Sequence, residues 1–261
     1  ATAGNRIQQL TLGWLIYEMT GSAFMVGALQ GVRAIPYLLA GPLGGVLGDR
    51  MDRRKLLIAS ELFLGVLSFG FAALVSIGRA EVWHLFAVTV LSGIGWAATN
   101  PVRQALVADT VPHESLLNAV ALNSAAFNFN RMAGPAVGGL LIAFFGPGTN
   151  FFIQAACYTS VALVALPMRM RQRDTAAARR DSPLTTLRDG LRYVAKDRTM
   201  LALILIAMIP AIFIFPFTSG LMPVFAKDVL HAGPEGLGLL LAMLGVGGLL
   251  GALTVATLGR V

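Results

Sequence analysis

The chain alternates between long stretches without charge and short connections rich in charged residues, glycine or proline. A membrane-spanning helix needs roughly 20 predominantly apolar residues. Such helices are predicted at about residues 6–19, 24–47, 56–77, 82–102, 117–145, 151–167, 199–226 and 236–259. The uncharged residues 132–168 are too long for one helix, and the glycine- and proline-rich residues 146–150 divide them. The pattern therefore predicts an all-α polytopic transmembrane helix bundle with about eight spans.

Composition favours a membrane protein over a soluble domain. Hydrophobic residues make up 56% of the chain and charged residues only 13%, whereas soluble domains carry roughly a quarter charged residues. The net charge of +7 would suggest a nucleic-acid partner in a soluble protein. Here the positive residues lie mostly on alternate connections between apolar runs, which is a topology signal. No nucleic-acid partner is therefore predicted.

The distribution of Lys and Arg predicts the orientation of the chain. The connections after spans two, four and six hold fourteen of these residues, and the connections on the other side hold only Arg79 and Lys227. Because Lys and Arg concentrate in cytoplasmic loops, the even-numbered span ends and the N-terminus are predicted to lie in the cytoplasm.

Residues 168–198 form the longest polar connection. Ser182 and Pro183 indicate a helix start, after which apolar residues recur at helical spacing from Leu184 to Val194 beside basic ones. Two interpretations stay open. The segment is either a short amphipathic helix on the inner membrane surface or a linker helix packed on the bundle.

The charged connection after span two carries the most specific motif. Residues 45–57 read GVLGDRMDRRKLL, in which Asp52 is well placed to cap the start of span three. The segment resembles the loop motif of the major facilitator superfamily, G-x-L-x-D-R-x-G-R-K-x-x-L. Its D-R-x-D-R-R form is similar to the branch that contains the bacterial enterobactin exporter and macrolide efflux proteins. The matching positions are Gly45, Leu47, Asp49, Arg50, Arg53 and Leu57, with Arg54 where Arg or Lys is usual and Asp52 in place of a glycine.

The resemblance implies that this segment is a gating loop. In the family the loop forms a charge-paired latch that holds the cytoplasmic side closed, and the resemblance implies that role for Asp49, Arg50 and Arg53. The predicted gating-loop residues are Gly45, Asp49, Arg50, Asp52, Arg53 and Arg54.

A second family-like motif lies in span five. Residues 134–139 read GPAVGG, which resembles the tail of the antiporter motif G-x-x-x-G-P-x-x-G-G, with Asn130 at the earlier glycine. Small residues let helices approach closely, and proline removes a backbone hydrogen bond and permits a bend. Either close packing or a gating hinge is therefore predicted. The residues concerned are Gly134, Pro135, Gly138 and Gly139.

Polar residues inside the spans are candidates for a central cavity, because charges are costly in lipid and normally face one. The predicted cavity residues are Gln9, Tyr17, Glu18, Arg33, Asn123, Asn130 and Arg131. Two arginines would suit an anionic or oxygen-rich substrate, and Glu18 is the candidate proton carrier. Alternatively, Arg33 and Arg131 only pair with Glu18 or with carbonyl groups and hold helices together. The arginine that the family often has before Gly93 is missing, which puts proton-coupling schemes that use it in doubt.

The resemblance implies two bundles of six spans, whereas this chain supplies six plus two. The predicted organisation is an N-terminal six-helix bundle at residues 1–167, a cytoplasmic linker at 168–198 and the first two spans of a C-terminal bundle at 199–261. About four further spans are expected beyond Val261. The chain alone is expected not to transport normally unless two copies assemble or the remainder is supplied.

The function implied by the resemblance is secondary transport across the bacterial inner membrane. The expectation is a proton-coupled exporter of small amphipathic molecules, such as drugs or siderophores, that works by alternating access. The alternatives are a transporter of another solute class, such as a lysophospholipid or a nutrient, or a truncated membrane protein that does not transport. No Walker-type motif indicates ATP as the energy source. Because Cys157 is the single cysteine and His84, His113 and His231 are scattered, no enzyme activity, metal site or cofactor is predicted.

Overall fold

The computed structural model describes residues 2–50, 52–110, 112, 115–167, 197–209 and 220–258. Nearly all of these residues are helical, and none of them forms a β-strand, so the predicted all-α fold is confirmed. The predicted amphipathic helix of the linker and His113 lie outside the described residues.

The described helices follow the predicted spans closely. In chain order they are α1 (Thr2–Thr20), α2 (Ala23–Arg50), α3 (Arg53–Ser76), α4 (Val82–Thr110), α5 (Leu116–Phe145), α6 (Pro147–Ala165), α7 (Arg198–Ile209), α8 (Met222–Val224) and α9 (Pro234–Leu258). A π-helical turn, Phe225–Val229, continues α8. Helices α1 to α6 match predicted spans one to six, and α9 matches span eight. Predicted span seven includes α7 and α8, and residues 210–219 between them are outside the described part.

Two predicted connections are partly helical. Helix α2 continues to Arg50, so much of the predicted gating loop is helical backbone rather than loop. Helix α4 continues to Thr110, which places Arg103 inside a helix and not in the connection that its charge predicted. Arginine is a good helix former, and its charge does not interrupt backbone hydrogen bonding. Charge alone was therefore a poor marker of these helix ends.

Local chemistry accounts for two other helix ends. Gly146 is the one residue between α5 and α6, and its φ of 80° is a left-handed conformation that glycine adopts without strain. Pro147 then occupies the first turn of α6, where its missing N–H costs nothing. The predicted capping role of Asp52 is confirmed, because its Oδ1 accepts hydrogen bonds from the backbone N–H groups of Arg54 at 2.9 Å and Lys55 at 3.4 Å.

Helices α1 to α4 and α6 pack around one apolar cluster. Helix α3 packs against α6 and α4, α2 packs against α4, and α1 lies against α5 and α6. The cluster includes Leu15, Ile16, Leu29, Leu85 and Phe151, which come from α1, α2, α4 and α6. Together these contacts hold α1 in the middle of the bundle.

A second apolar cluster joins the first six helices to the end of the chain. Its buried members are Leu10, Trp14, Ile142, Met222, Ala226 and Leu237. They come from α1, α5, α8, the π-helical turn and α9. Helix α9 also packs along much of α5. The C-terminal helices are therefore placed against α1 and α5 in particular.

Length and composition mark one described helical segment, Arg54–Ser76, as able to cross a membrane. Two shorter described segments, Val82–Ala97 and Pro234–Gly248, are also apolar. Polar side chains such as Asn5 and Gln8 make α1 less apolar than these segments. The number of spans therefore stays a prediction.

Candidate functional site

A small polar pocket lies between α1, α2 and α4. Its polar lining residues are Gln8, Gln9, Gln30, Arg33, Thr89 and Ser92. The cavity measures about 20 Å³, which is room for about one water molecule. Gln8 is buried, and its Nε2 has no hydrogen-bond partner among the described residues. The pocket lining therefore includes a residue with a buried N–H donor that has no partner among the described residues.

Arg33 is held at this pocket by a chain of side-chain hydrogen bonds. Its Nη2 donates to Asn5 Oδ1 at 3.2 Å, and the same oxygen accepts from Gln9 Nε2 at 2.9 Å. Gln9 Oε1 in turn accepts from Arg6 Nη1 at 3.2 Å. The structure thus brings together two of the predicted cavity residues, Gln9 and Arg33, with two partners that were not predicted. A guanidinium beside amide groups is suited to binding oxygen acceptors.

Two further predicted cavity residues lie at the far end of α1, away from the pocket. Tyr17 is buried, and its hydroxyl donates a hydrogen bond to the carboxylate of Asp228 in the π-helical turn. Lys227 Nζ lies 5.6 Å from the centre of the Tyr17 ring and 5.8 Å from that of Trp14. Glu18, the next residue, is exposed. Tyr17 therefore joins α1 to the C-terminal part of the chain.

The polar residues of α5 also lie outside the pocket. Asn123 and Arg131 are exposed, and Asn130 is half-buried with its Nδ2 donating to the Ala126 carbonyl of the same helix at 2.8 Å. One contact links this face of α5 to the pocket network. The Arg6 guanidinium lies 5.3 Å from the centre of the Phe127 ring, a cation–π distance.

The glycines of the α5 motif face two different neighbours. A Cβ on Gly134 would lie 3.0 Å from Arg6 Cβ, and one on Gly138 would lie 3.5 Å from Ile7 Cγ2, so both face α1. A Cβ on Gly139 would lie 2.9 Å from Gly238 Cα, so that residue faces α9. The motif therefore packs α5 closely against α1 on one side and α9 on the other. Hinge motion at Pro135 stays a prediction.

The structure describes only part of the predicted gating loop. Gly45, Asp49 and Arg50 belong to the α2 backbone, but the side chains of Asp49, Arg50 and Arg53 lie outside the described residues, so the predicted latch does too. Beside the Asp52 cap, Arg54 Nε donates to the Ala165 carbonyl at 3.2 Å. That bond ties the start of α3 to the end of α6.

An ion pair inside the bundle was missed by the sequence analysis. Arg103 of α4 donates to the carboxylate of Glu61 of α3, and the Glu61 side chain is 0% exposed. Glu61 is eight residues after the start of α3 and Arg103 is seven before the end of α4. At 1.5 Å per residue both lie about 10–12 Å from those ends. The sequence signal that could have revealed the ion pair is the presence of two opposite charges at the same depth in consecutive spans.

A cation–π contact followed by hydrogen bonds connects this ion pair to α6. The Arg103 guanidinium lies 4.6 Å from the centre of the Trp96 ring. Trp96 Nε1 donates to the Tyr158 hydroxyl at 2.9 Å, and Gln154 Nε2 donates to the same oxygen at 3.1 Å. The pair is therefore one end of a polar network that crosses α3, α4 and α6.

The described part of the chain offers no metal centre. No group of three or more His, Cys, Asp or Glu side chains within the described ranges could hold a metal ion.

Comparison with known proteins places these features in a family context. A family model described as "Transmembrane secretion effector" matches residues 1–261. The chain is 28% identical to the staphyloferrin A transporter of Staphylococcus aureus, over 97% of this chain and 63% of that protein. It is 26% identical to the multidrug efflux pump Tap of Mycolicibacterium fortuitum, over 100% of this chain and 65% of the pump. Macrolide efflux protein A of Streptococcus pyogenes is 23% identical, over 97% of this chain and 63% of that protein.

Among solved structures, the fold resembles that of a D-xylose-proton symporter. The TM-score is 0.58 at 16% identity, and the match covers 99% of this chain and 68% of the symporter. This likeness concerns the fold alone. The chain spans less than two thirds of the length of the three relatives described above.

Proposed function

Because the chain belongs to the transmembrane secretion effector family of the major facilitator superfamily, we propose that the protein containing it is a secondary exporter of small amphipathic molecules. The exporter lies in the bacterial inner membrane with its N-terminus in the cytoplasm, and it works by alternating access. The observation that carries the proposal is the family match over residues 1–261, together with relatives named as efflux pumps. The protein is not an enzyme in this account.

The pocket supports an oxygen-rich or anionic substrate. Arg33 supplies a positive charge, and Gln8 supplies a buried Nε2 that has no hydrogen-bond partner among the described residues. A buried donor without a hydrogen-bond partner destabilises the protein, and a hydrogen bond to a substrate oxygen would remove that cost. At about 20 Å³ the cavity is far smaller than a drug-sized molecule, so substrate entry requires α1, α2 and α4 to separate.

The arrangement of α5 and α9 supports alternating access. The two helices touch closely where Gly238 meets Pro135 and Gly139, and again where Gly245 meets Met132. The contact thus runs along residues 132–139 of α5 and 238–245 of α9. A contact between small residues has no directional side-chain bonds that a movement would break, which suits a joint between two moving bundles.

We propose the following organisation. Residues 1–167 are the first bundle, residues 168–198 are a cytoplasmic linker, and residues 199–261 belong to the second bundle. In the proposal, α1 and α5 contribute the first bundle's face, and α8, the π-helical turn and α9 contribute the opposing face. Protons are the proposed coupling ion. The other partners are the transported small molecule and the lipid bilayer.

An efflux assay on the full-length protein tests the proposal. Inside-out bacterial membrane vesicles containing the protein are energised, and uptake of ethidium and of erythromycin is followed with and without a proton uncoupler. We expect uncoupler-sensitive uptake of at least one probe, because export from a cell corresponds to uptake by an inside-out vesicle. Uptake equal to that of vesicles without the protein, for probes of both kinds, would count against export of amphipathic molecules.

A pair of variants links the transport to the pocket. Arg33→Ala removes the guanidinium from the pocket, whereas Arg79→Ala removes one from an exposed connection. We expect the first to lower erythromycin uptake strongly and the second to leave it unchanged, at equal protein levels in the membrane. Full uptake by a normally folded Arg33→Ala variant would show that the pocket does not bind the transported molecule.

A further inference from the structure

Glu61 combines complete burial with an incomplete set of hydrogen bonds. One carboxylate oxygen, Oε1, accepts from Arg103, but Oε2 has no hydrogen-bond partner among the described residues. An unpaired oxygen of a buried carboxylate is costly, whereas a protonated carboxyl group loses the charge that makes burial expensive. Ionisable groups inside membrane spans commonly mark proton or substrate pathways.

Among the described side chains, few charged or titratable groups lie on the helices that pack around Glu61. Of the described side chains on α4, Arg103 contacts Glu61 directly and His84 lies at the opposite end of the helix. The titratable side chains on α6 are Cys157 and Tyr158. On α3 itself, the described side chain of Arg54 is bonded to the Ala165 carbonyl. Arg103 is therefore the charge whose interaction changes most when Glu61 gains or loses a proton.

The polar network continues from this pair to the pocket. Beyond Trp96, Gln154 donates to the same Tyr158 hydroxyl and packs against α1, where a Cβ on Gly4, the neighbour of Asn5, would lie 3.2 Å from Gln154 Cγ. Asn5 Oδ1 accepts the hydrogen bond from Arg33 at 3.2 Å. An unbroken series of contacts therefore runs from Glu61 on α3 through α4, α6 and α1 to Arg33 on α2. A pathway of this kind needs a coupling test, since contact alone does not establish energetic coupling.

We propose that Glu61, rather than the exposed Glu18, is the proton-binding site of the transport cycle. This inference rests on the proposed function. One proton from water on one side of the membrane binds the carboxylate as an O–H group and later leaves to water on the other side. No other bond forms or breaks. Arg103, whose side chain is 19% exposed, lies at the edge through which water reaches the pair. Neutral Glu61 holds Arg103 less tightly, and the network transmits that change to Arg33.

The first test does not depend on transport. Infrared difference spectra of the full-length protein are recorded as pH is lowered, for wild type, Glu61→Gln and the exposed control Glu18→Gln. We expect a carboxyl C=O band that is lost in Glu61→Gln and kept in Glu18→Gln. A spectrum of Glu61→Gln identical to wild type would overturn the proposal.

The second test separates proton coupling from a structural role. Proteoliposomes with the full-length protein are assayed for erythromycin accumulation driven by a pH gradient and for erythromycin exchange without a gradient. We expect Glu61→Gln to lose driven accumulation but keep exchange, and Glu61→Asp to keep both with a shifted pH profile. Driven accumulation at the wild-type level in Glu61→Gln would overturn the proposal. A second result would also overturn it: folded Glu61→Gln loses accumulation and exchange equally, and the swapped pair Glu61→Arg with Arg103→Glu restores both. An ion pair that only joins helices tolerates such a reversal of its charges.

The two proposals fail in different ways. If wild-type protein neither exchanges nor accumulates the probes, export is wrong, while the infrared spectra still decide whether Glu61 takes up a proton. If wild type transports and Glu61→Gln responds to the gradient normally, export stands and the proton site is wrong.

Discussion

Two regions of the molecule hold their helices together by different means. Helices α3, α4 and α6 are joined by the Arg103–Glu61 ion pair and by the hydrogen bonds at Tyr158. Helices α5 and α9 meet through glycines, so that a Cβ on Gly238 would lie 2.6 Å from the Pro135 carbonyl oxygen. The first region depends on directional polar contacts, and the second depends on the absence of side chains.

The difference bears on which helices are suited to move. When helices slide, the directional bonds between their buried groups break, and this costs free energy because each partner is left unpaired. Contacts between glycines and backbone atoms have no such partners to lose. The α3–α4–α6 region is therefore suited to act as a rigid unit, and the α5–α9 contact is suited to shift between arrangements.

The largest expected effect comes from breaking the ion pair on one side. Arg103→Met leaves the Glu61 carboxylate buried without its partner, and we expect a loss of about 3 kcal/mol in the free energy of unfolding. Thermal unfolding in detergent measures it. Adding Glu61→Leu to the same protein removes the unpaired charge and should recover most of the loss. If the double variant is no more stable than Arg103→Met, the loss does not come from the unpaired Glu61 carboxylate.

A smaller effect is expected at the glycine contact. Gly238→Val places a side chain against Pro135 and Gly139 backbone atoms that cannot give way, and we expect destabilisation of about 1–3 kcal/mol. The matched control is Gly247→Val on the same helix, where a Cβ meets nothing within 4 Å. Thermal unfolding of the two variants sharpens the comparison. Equal unfolding temperatures would mean that α5 and α9 do not pack in this way.

The smallest effect is expected at the polar contact between α1 and the π-helical turn. Tyr17→Phe removes the hydroxyl that donates to Asp228, and we expect a loss of about 1 kcal/mol. Asp228→Asn keeps an oxygen acceptor and should cost less. Melting curves for the two variants test this order. A larger loss for Asp228→Asn would show that the carboxylate has a role besides accepting from Tyr17.

Much of the fold was predictable because its signals are local. The breaker at Gly146, the Asp52 cap and the long uncharged runs each depend on a few neighbouring residues, and the structure confirms them. The resemblance of residues 45–57 to the major facilitator superfamily is confirmed by the family match. Arg103 was misplaced because its charge suggested a connection, whereas its partner lies 42 residues away.

The candidate site was harder to predict because it depends on which helix faces meet. Gln9 and Arg33 reach one pocket, but the contributions of Gln30, Thr89 and Ser92 come from packing that no local pattern contains. Asn123 and Arg131 share a helix face in the sequence, yet that face is exposed on α5. Helical spacing predicts which residues share a face and does not predict what the face contacts.

The most direct test of alternating access measures distances across the two contrasted regions. In full-length protein in nanodiscs, spin labels replace the exposed residues Leu140 of α5 and Leu239 of α9. A second protein carries labels at the exposed Val66 of α3 and Leu163 of α6. Distances are recorded with and without a probe that the protein transports. The account predicts that the α5–α9 distance changes while the α3–α6 distance stays fixed. An unchanged α5–α9 distance in a protein that transports the probe would contradict it.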